Sequence, residues 1–307
     1  MNNLVAYLFA GQGSQYAGMG KDLYESFPES KAVFDKAEQV LEFDLKKRCF
    51  DGPQEMLKNT NISQPAIVTA AIAAFEAFKT RSNLEPKFLA GLSLGEYSAL
   101  IAAGVFSLED GLRLVKRRGE IMEEAALKNP GKMAAVLELP FEKIKEICLA
   151  SGAEIANLNA PGQVVISGRH EAIDKAKVMC LSLGAKRVIE LDVSGAFHSS
   201  LMFEASVELK NVLDNIAMNP PRVPVISNYT ALPQYKVSQI SENIVKQMCS
   251  LVRWEDSMKF ILSKDIRNFM EFGPGKVLKG LMRRIDSNAQ VVSIEKKEDI
   301  LSLVGRV

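Results

Sequence analysis

The sequence predicts an α/β fold with a mostly parallel sheet and an inserted small subdomain, on three observations. Short apolar runs alternate with helical segments at both ends of the chain. A serine flanked by glycines sits where one such run meets a helix. Between residues 131 and 194 the order of elements changes to strand, helix, strand, strand, helix, strand.

The elements follow in order. Residues 5–9 are a compact apolar run closed by GQGSQ, which reads as a buried strand feeding a glycine loop, with a helix around 23–27. Residues 65–78 are apolar nearly all round, so their helix should be buried, and Ser63 ahead of Gln64 and Pro65 suits its start. Phe88, Leu89 and Ala90 read as the end of a second buried strand, and 97–102 as a helix that Gly104 stops. GLRLVKRRGEIMEEAA, 111–126, has the spacing of an amphipathic helix. Strands over 132–139, 154–159, 163–168 and 185–193, with helices over 140–151 and 170–184, then give the βαββαβ order of a ferredoxin-like unit. VPVISN, a helix near Ile244, a helix from Trp254, NFMEFG, a helix near Val277 and QVVSIE resume the alternation. The expected organisation is a large subdomain from 1–130 and 195–307, with 131–194 inserted as the small one.

The 307 residues suit one large domain or a domain carrying an insertion. Lys plus Arg number 38 against 37 Asp plus Glu, so no global field points to nucleic acid. No signal-like segment opens the chain and no run is long enough to span a bilayer, so a cytoplasmic location without a membrane partner is expected. Cys49, Cys148, Cys180 and Cys249 are scattered in apolar contexts without metal-ligand spacing, which predicts reduced core thiols and no metal site.

The chemistry centres on GLSLGEYSAL, Gly91 to Leu100. Strand, tight turn and helix would project Ser93 Oγ into a cleft, with a helix N-terminus behind it to hold an oxyanion. The same pattern also suits a small-residue turn that merely packs a helix on a sheet. A serine nucleophile needs a base, and the chain has two histidines. His170 lies among charged residues at a helix start, which suits a solvated position; His198, in SGAFHSS after a strand, lies among small residues with room for a substrate. A carboxylate to orient His198 is not evident locally; Asp192 is a candidate without further support. Arg117 shares a helix face with Arg113, Glu120 and Glu124, whereas Arg118 shares the apolar face with Leu114, Val115, Ile121 and Met122. Either the Arg118 head reaches water or an internal carboxylate, or it holds a substrate carboxylate beside the serine. An activated serine beside a buried guanidinium suggests acyl transfer from a dicarboxylic half-thioester.

GQGSQ (11–15), SQPA (63–66), GLSLGEYSAL, RGEIM (118–122), ANLNAPGQVVISG (156–168), GAFHS (195–199), VRW (252–254) and GPGKVL (273–278) occur in an order that resembles the malonyl-CoA:acyl carrier protein transacylases. The resemblance runs from about Leu4 to the end of the sequence. It implies an α/β-hydrolase-like large subdomain beside the ferredoxin-like small one. It also implies Ser93 as nucleophile, His198 as general base and acid, and the main-chain carbonyl of Gln247 as the group that orients His198. Gln12 and Leu94 N–H groups would form the oxyanion hole, and Arg118 would grip the malonyl carboxylate. Gln64 and Asn159 match positions near the pocket, where a loop-stabilising hydrogen bond is an equal reading, and Phe197 matches the residue that crowds the substrate α-carbon. Malonyl-CoA and acyl carrier protein would be the partners, with no cofactor: the CoA thioester is substrate and phosphopantetheine arrives on the carrier. One departure is Leu92, where the family commonly has histidine before the nucleophile; Leu-Ser pairs are similar to those of stand-alone polyketide acyltransferases. That pathway, an acyl-thioester hydrolase and a catalytically silent carrier-binding protein are the alternatives to fatty acid synthesis. The carriers are usually acidic, so Lys276, Lys279 and Arg283, or Lys186 and Arg187, are candidate docking cations, as well as ordinary solvated charges.

Overall fold

The computed structural model describes residues 4–303. The chain runs β1 (Val5–Phe9), α1 (Lys21–Ser26), α2 (Pro28–Leu41), α3 (Leu45–Phe50), α4 (Thr60–Lys79), β2 (Phe88–Gly91), α5 (Leu94–Ala102) and α6 (Leu108–Lys128). It continues through β3 (Lys132–Leu137), α7 (Phe141–Ser151), β4 (Glu154–Ala160), β5 (Gln163–Gly168), α8 (His170–Ser182) and β6 (Arg187–Glu190). It returns with α9 (Phe203–Leu213), β7 (Val225–Ile226), β8 (Pro233–Gln234), α10 (Val237–Met248), α11 (Trp254–Leu262), β9 (Asn268–Phe272), α12 (Val277–Ile285), β10 (Gln290–Ile294) and α13 (Lys297–Leu303).

Two sheets result. The larger has the order β10-β9-β1-β2-β7-β8, and every pair in it is parallel except β7 with β8. β1 lies inside this sheet and all five of its residues are buried, as its unbroken apolar run requires of a strand covered on both faces. The smaller sheet, β4-β5-β3-β6, is antiparallel throughout and carries α7 and α8, the order and connectivity of a ferredoxin-like unit. β4 also reaches the large sheet's layer: Asn157 bridges Val252 just before α11.

The buried apolar helix begins one turn earlier than its sequence suggests. Asn59 is the N-cap of α4, and Pro65 lies inside the helix rather than in its first turn. Burial of nearly every position from Thr60 to Phe78 outweighs the one backbone hydrogen bond that proline removes. On α6, Leu114, Val115, Ile121 and Met122 are buried together with Arg118, while Arg117 pairs with Glu120, Glu124 and Glu208, as the phase of each arginine predicts. The strands read at 185–193 and 223–228 are shorter in the fold, at β6 and β7; α2, α3 and α9 carry no motif and escape the sequence reading. The four cysteines are free thiols, three of them buried. Among the described residues no helix is long and apolar enough to cross a membrane.

Candidate active site

A cleft of about 300 Å³ opens between the two sheets, at the edge where parallel β1 and β2 both end. Gln12, from the loop after β1, and Ser93, two residues past β2, line it with Met122, Asn159, Phe197 and His198. The turn that carries Ser93 works only with glycine on both sides. A Cβ at Gly91 would lie 2.0 Å from the Gly95 carbonyl carbon, and one at Gly95 would lie 2.1 Å from the Phe9 carbonyl oxygen. α5 therefore starts hard against the sheet, and Ser93 caps it with φ 51° and ψ −100°. Such a backbone costs about 1–3 kcal/mol and persists only where surrounding groups hold it. Here its N–H donates to Asn228 Oδ1 at 2.6 Å, and its carbonyl accepts from Gln247 Nε2 at 3.1 Å. Asn228 is itself fixed by donating Nδ2–H to the Gly91 carbonyl at 2.8 Å.

His198 follows Phe197 in a tight turn, again at positive φ (57°), and is buried. Its Nε2 lies 2.8 Å from Ser93 Oγ and its Nδ1 lies 2.8 Å from the main-chain carbonyl oxygen of Gln247. A carbonyl can only accept, so Nδ1 carries the proton; the bare Nε2 then accepts from the serine hydroxyl. Burial pushes the imidazole pKa down to about 4, the neighbouring Arg118 charge adds to that, and the Gln247 carbonyl opposes it. His198 is thus neutral at pH 7, the form a general base needs. Asp192 does not orient it: that carboxylate is exposed at the cleft mouth and pairs with Lys58 at 2.6 Å. His170 is exposed at the start of α8, in the small subdomain.

Arg118 is 1 % exposed and reaches the serine from α6. Nη1 donates to Gln64 Oε1 at 2.7 Å; Nη2 lies 3.3 Å from Ser93 Oγ and 3.5 Å from Gln247 Oε1. The guanidinium carbon sits 5.0 Å from the centroid of the Tyr97 ring, a cation–π contact beneath it. Arg118 Nε meets no acceptor among the described residues. A fully buried guanidinium with a donor to spare, beside a hydroxyl on a neutral base, can hold an added carboxylate. Gln64 is wholly buried and also approaches Met122 Sδ at 3.3 Å. Leu94 is the first residue of α5, so its N–H has no intrahelical acceptor and remains for an oxyanion. Asn159 is nearly buried on β4, and its Oδ1 meets no donor among the described residues.

Neither Asn228 nor Glu96 is singled out from the sequence. Glu96 is completely buried behind Ser93, where it accepts from the Asn228 N–H at 3.0 Å, Gln247 Nε2 at 2.7 Å and Gln234 Nε2 at 3.0 Å. Burial raises its pKa to about 7, against those three hydrogen bonds and the Arg118 charge. A carboxylate inside an apolar helix was the one available signal. Of the candidate docking cations, Lys186 pairs with Glu138 at 3.0 Å, while Lys276, Lys279 and Arg283 are exposed on and before α12.

Comparison with known proteins gives one consistent result. The family model described as "Acyl transferase domain" matches residues 6–296. The malonyl CoA-acyl carrier protein transacylase of Bacillus subtilis (strain 168) is 42% identical over 301 residues, covering 96% of this chain and 95% of that protein. Among solved structures, an acyl carrier protein S-malonyltransferase from Vibrio cholerae superposes with a TM-score of 0.94 at 36% identity, over 97% of this chain and 99% of that one. A malonyl-transacylase solved in complex with its type II polyketide synthase acyl-carrier protein gives 0.96 at 35% identity, over 99% of this chain and 100% of that one.

Proposed function

From the premise that this chain belongs to the malonyl CoA-acyl carrier protein transacylase family, we propose how its cleft moves a malonyl group from malonyl-CoA to the phosphopantetheine thiol of an acyl carrier protein. Ser93 Oγ attacks the thioester carbonyl as His198 Nε2 takes the hydroxyl proton. The oxyanion meets the N–H groups of Gln12 and Leu94. The C–S bond then breaks, the CoA sulfur leaves with the proton from His198, and malonyl remains as an ester on Ser93. The carrier thiol enters the vacated cleft, gives its proton to His198 and attacks the ester; the malonyl thioester forms and Ser93 recovers its proton. Gln247 holds the imidazole through its carbonyl in both half-reactions. Gln64 fixes one arm of Arg118, while Phe197 and Asn159 shape the wall of the cleft. Side chains, main-chain groups and the two thioesters supply all of this chemistry, with no cofactor or metal in any step.

The observation that carries the malonyl assignment is Arg118: buried, 3.3 Å from Ser93 Oγ, with its Nε unpartnered. Leaving a substrate carboxylate without its cation, or the reverse, costs about 3–5 kcal/mol in a buried setting. Arg118→Ala should therefore lose malonyl transfer by about a hundredfold or more while gaining in acetyl transfer relative to wild type. Equal loss for both acyl groups would make Arg118 structural. We place the reaction in the cytoplasm, supplying extender units for fatty acid synthesis. Leu92 beside the nucleophile, together with the likeness to a polyketide-system transacylase, supports polyketide supply as the second reading.

A further inference from the structure

The geometry points to Glu96 as a positioning residue for malonyl transfer: its buried carboxylate ties together Asn228 and Gln247, the two residues that fix the Ser93 backbone, and through Gln247 it also fixes His198. The inference deepens the reaction described above and rests on it. Ser93 is strained and each of its peptide groups is held by a different side chain, the N–H by Asn228 Oδ1 and the carbonyl by Gln247 Nε2. Both holders converge on one oxygen, Glu96 Oε2, which accepts from the Asn228 N–H at 3.0 Å and Gln247 Nε2 at 2.7 Å. Gln247 in turn presents the carbonyl 2.8 Å from His198 Nδ1. The nucleophile and its base lie 105 residues apart in the chain and on different elements, yet a single carboxylate sets the position of both. The other oxygen, Oε1, accepts from Gln234 Nε2 at 3.0 Å, and Gln234 Oε1 accepts from Asn243 Nδ2 at 2.9 Å. All five members, Glu96, Asn228, Gln234, Asn243 and Gln247, are buried, so a lost partner is not replaced by bulk water.

The arrangement distinguishes a positioning role from a charge role. In Glu96→Gln the side-chain length is kept and the amide oxygen can still accept from Asn228 and Gln247. Its NH₂ then faces Gln234, a conflict that rotating the Gln234 and Asn243 amides relieves. Glu96→Asp keeps the charge but withdraws the carboxylate by one methylene from Asn228 and Gln247. Misplacing a nucleophile and base by a fraction of an ångström to 1 Å is worth about tenfold to a hundredfold in rate. We therefore expect Glu96→Asp and Glu96→Ala to lower the single-turnover rate of Ser93 malonylation by about tenfold or more, with KM for malonyl-CoA within about twofold. Glu96→Gln should stay within about threefold of wild type.

The experiment is rapid-quench malonylation with radiolabelled malonyl-CoA, run on wild type and the three variants, with thermal unfolding to show that each is folded. Glu96→Asp and Glu96→Gln keep the proposal testable should Glu96→Ala fail to fold. A folded Glu96→Asp with the wild-type rate of Ser93 malonylation would overturn it. So would a loss confined to KM, or a Gln variant as slow as the Asp one. Failure of wild type itself to take the label would sink the malonyl-transfer reading instead, so the two failures are separable.

Discussion

At the residue scale, three side chains meet at one point: Ser93 Oγ lies 2.8 Å from His198 Nε2 and 3.3 Å from Arg118 Nη2. Ser93 is marked by glycines at its own turn, and Arg118 by its phase among Leu114, Val115, Ile121 and Met122; both signals lie within a few residues. Asn228 and Glu96 act through partners 135 and 132 residues distant, which no local pattern encodes. In the sequence the His198–Gln247 carbonyl link rests on family resemblance alone, since a main-chain acceptor leaves no side-chain signature; Asp192, the carboxylate considered for that role, faces solvent and Lys58. The electrostatics of His198 make a pH prediction. A base must be neutral, and a pKa lowered from 6.5 to about 4 keeps it neutral down to mildly acid pH. The His198-dependent acid limb of Ser93 acylation should therefore lie well below pH 6.5. Because the Arg118 charge supplies part of the lowering, that limb should move upward in Arg118→Ala assayed with acetyl-CoA. A limb at pH 6.5 in wild type, or one that Arg118→Ala leaves in place, would contradict this description of the site.

At the element scale, the site depends on how closely α5 meets the sheet. Strand β2, the serine turn and α5 are read correctly from an apolar run, two glycines and a helical spacing, because each of those features is local. The start of α4 is read one turn late because proline usually marks a first turn, whereas here the gain from burying Thr60 and Ile62 extends the helix past it. The glycine at position 95 is required by the Phe9 carbonyl, which a Cβ would approach to 2.1 Å. The groups it would meet, the carbonyls of Phe9 and Ala10, are backbone and cannot swing aside. Gly95→Ala should cost about 1–3 kcal/mol or more in urea unfolding and should slow acylation further by moving Ser93. A variant with unchanged stability would show that α5 can lift from the sheet without penalty.

At the scale of the whole molecule, the two sheets make one cleft between them. The large sheet supplies the serine turn and the Gln12 loop at the end of its parallel strands, and β4 of the small sheet supplies Asn159 on the opposite wall. Both sheets are foreseen in the sequence, since alternating apolar runs and the βαββαβ order are patterns of type and sequence. Their mutual placement is not, because the Asn157–Val252 bridge that ties β4 to the segment before α11 pairs residues from separate motifs. The fold thereby brings the Ser93 hydroxyl, the His198 imidazole and the Arg118 guanidinium from three separate stretches of chain to one point. The most direct measurement is intact-protein mass spectrometry after mixing with malonyl-CoA alone, followed by peptide mapping and then addition of holo acyl carrier protein. We expect one malonyl group on Ser93, none on Ser93→Ala, and its departure to the carrier on the second addition. A folded wild-type protein that transfers malonyl without ever carrying it on Ser93 would contradict the mechanism.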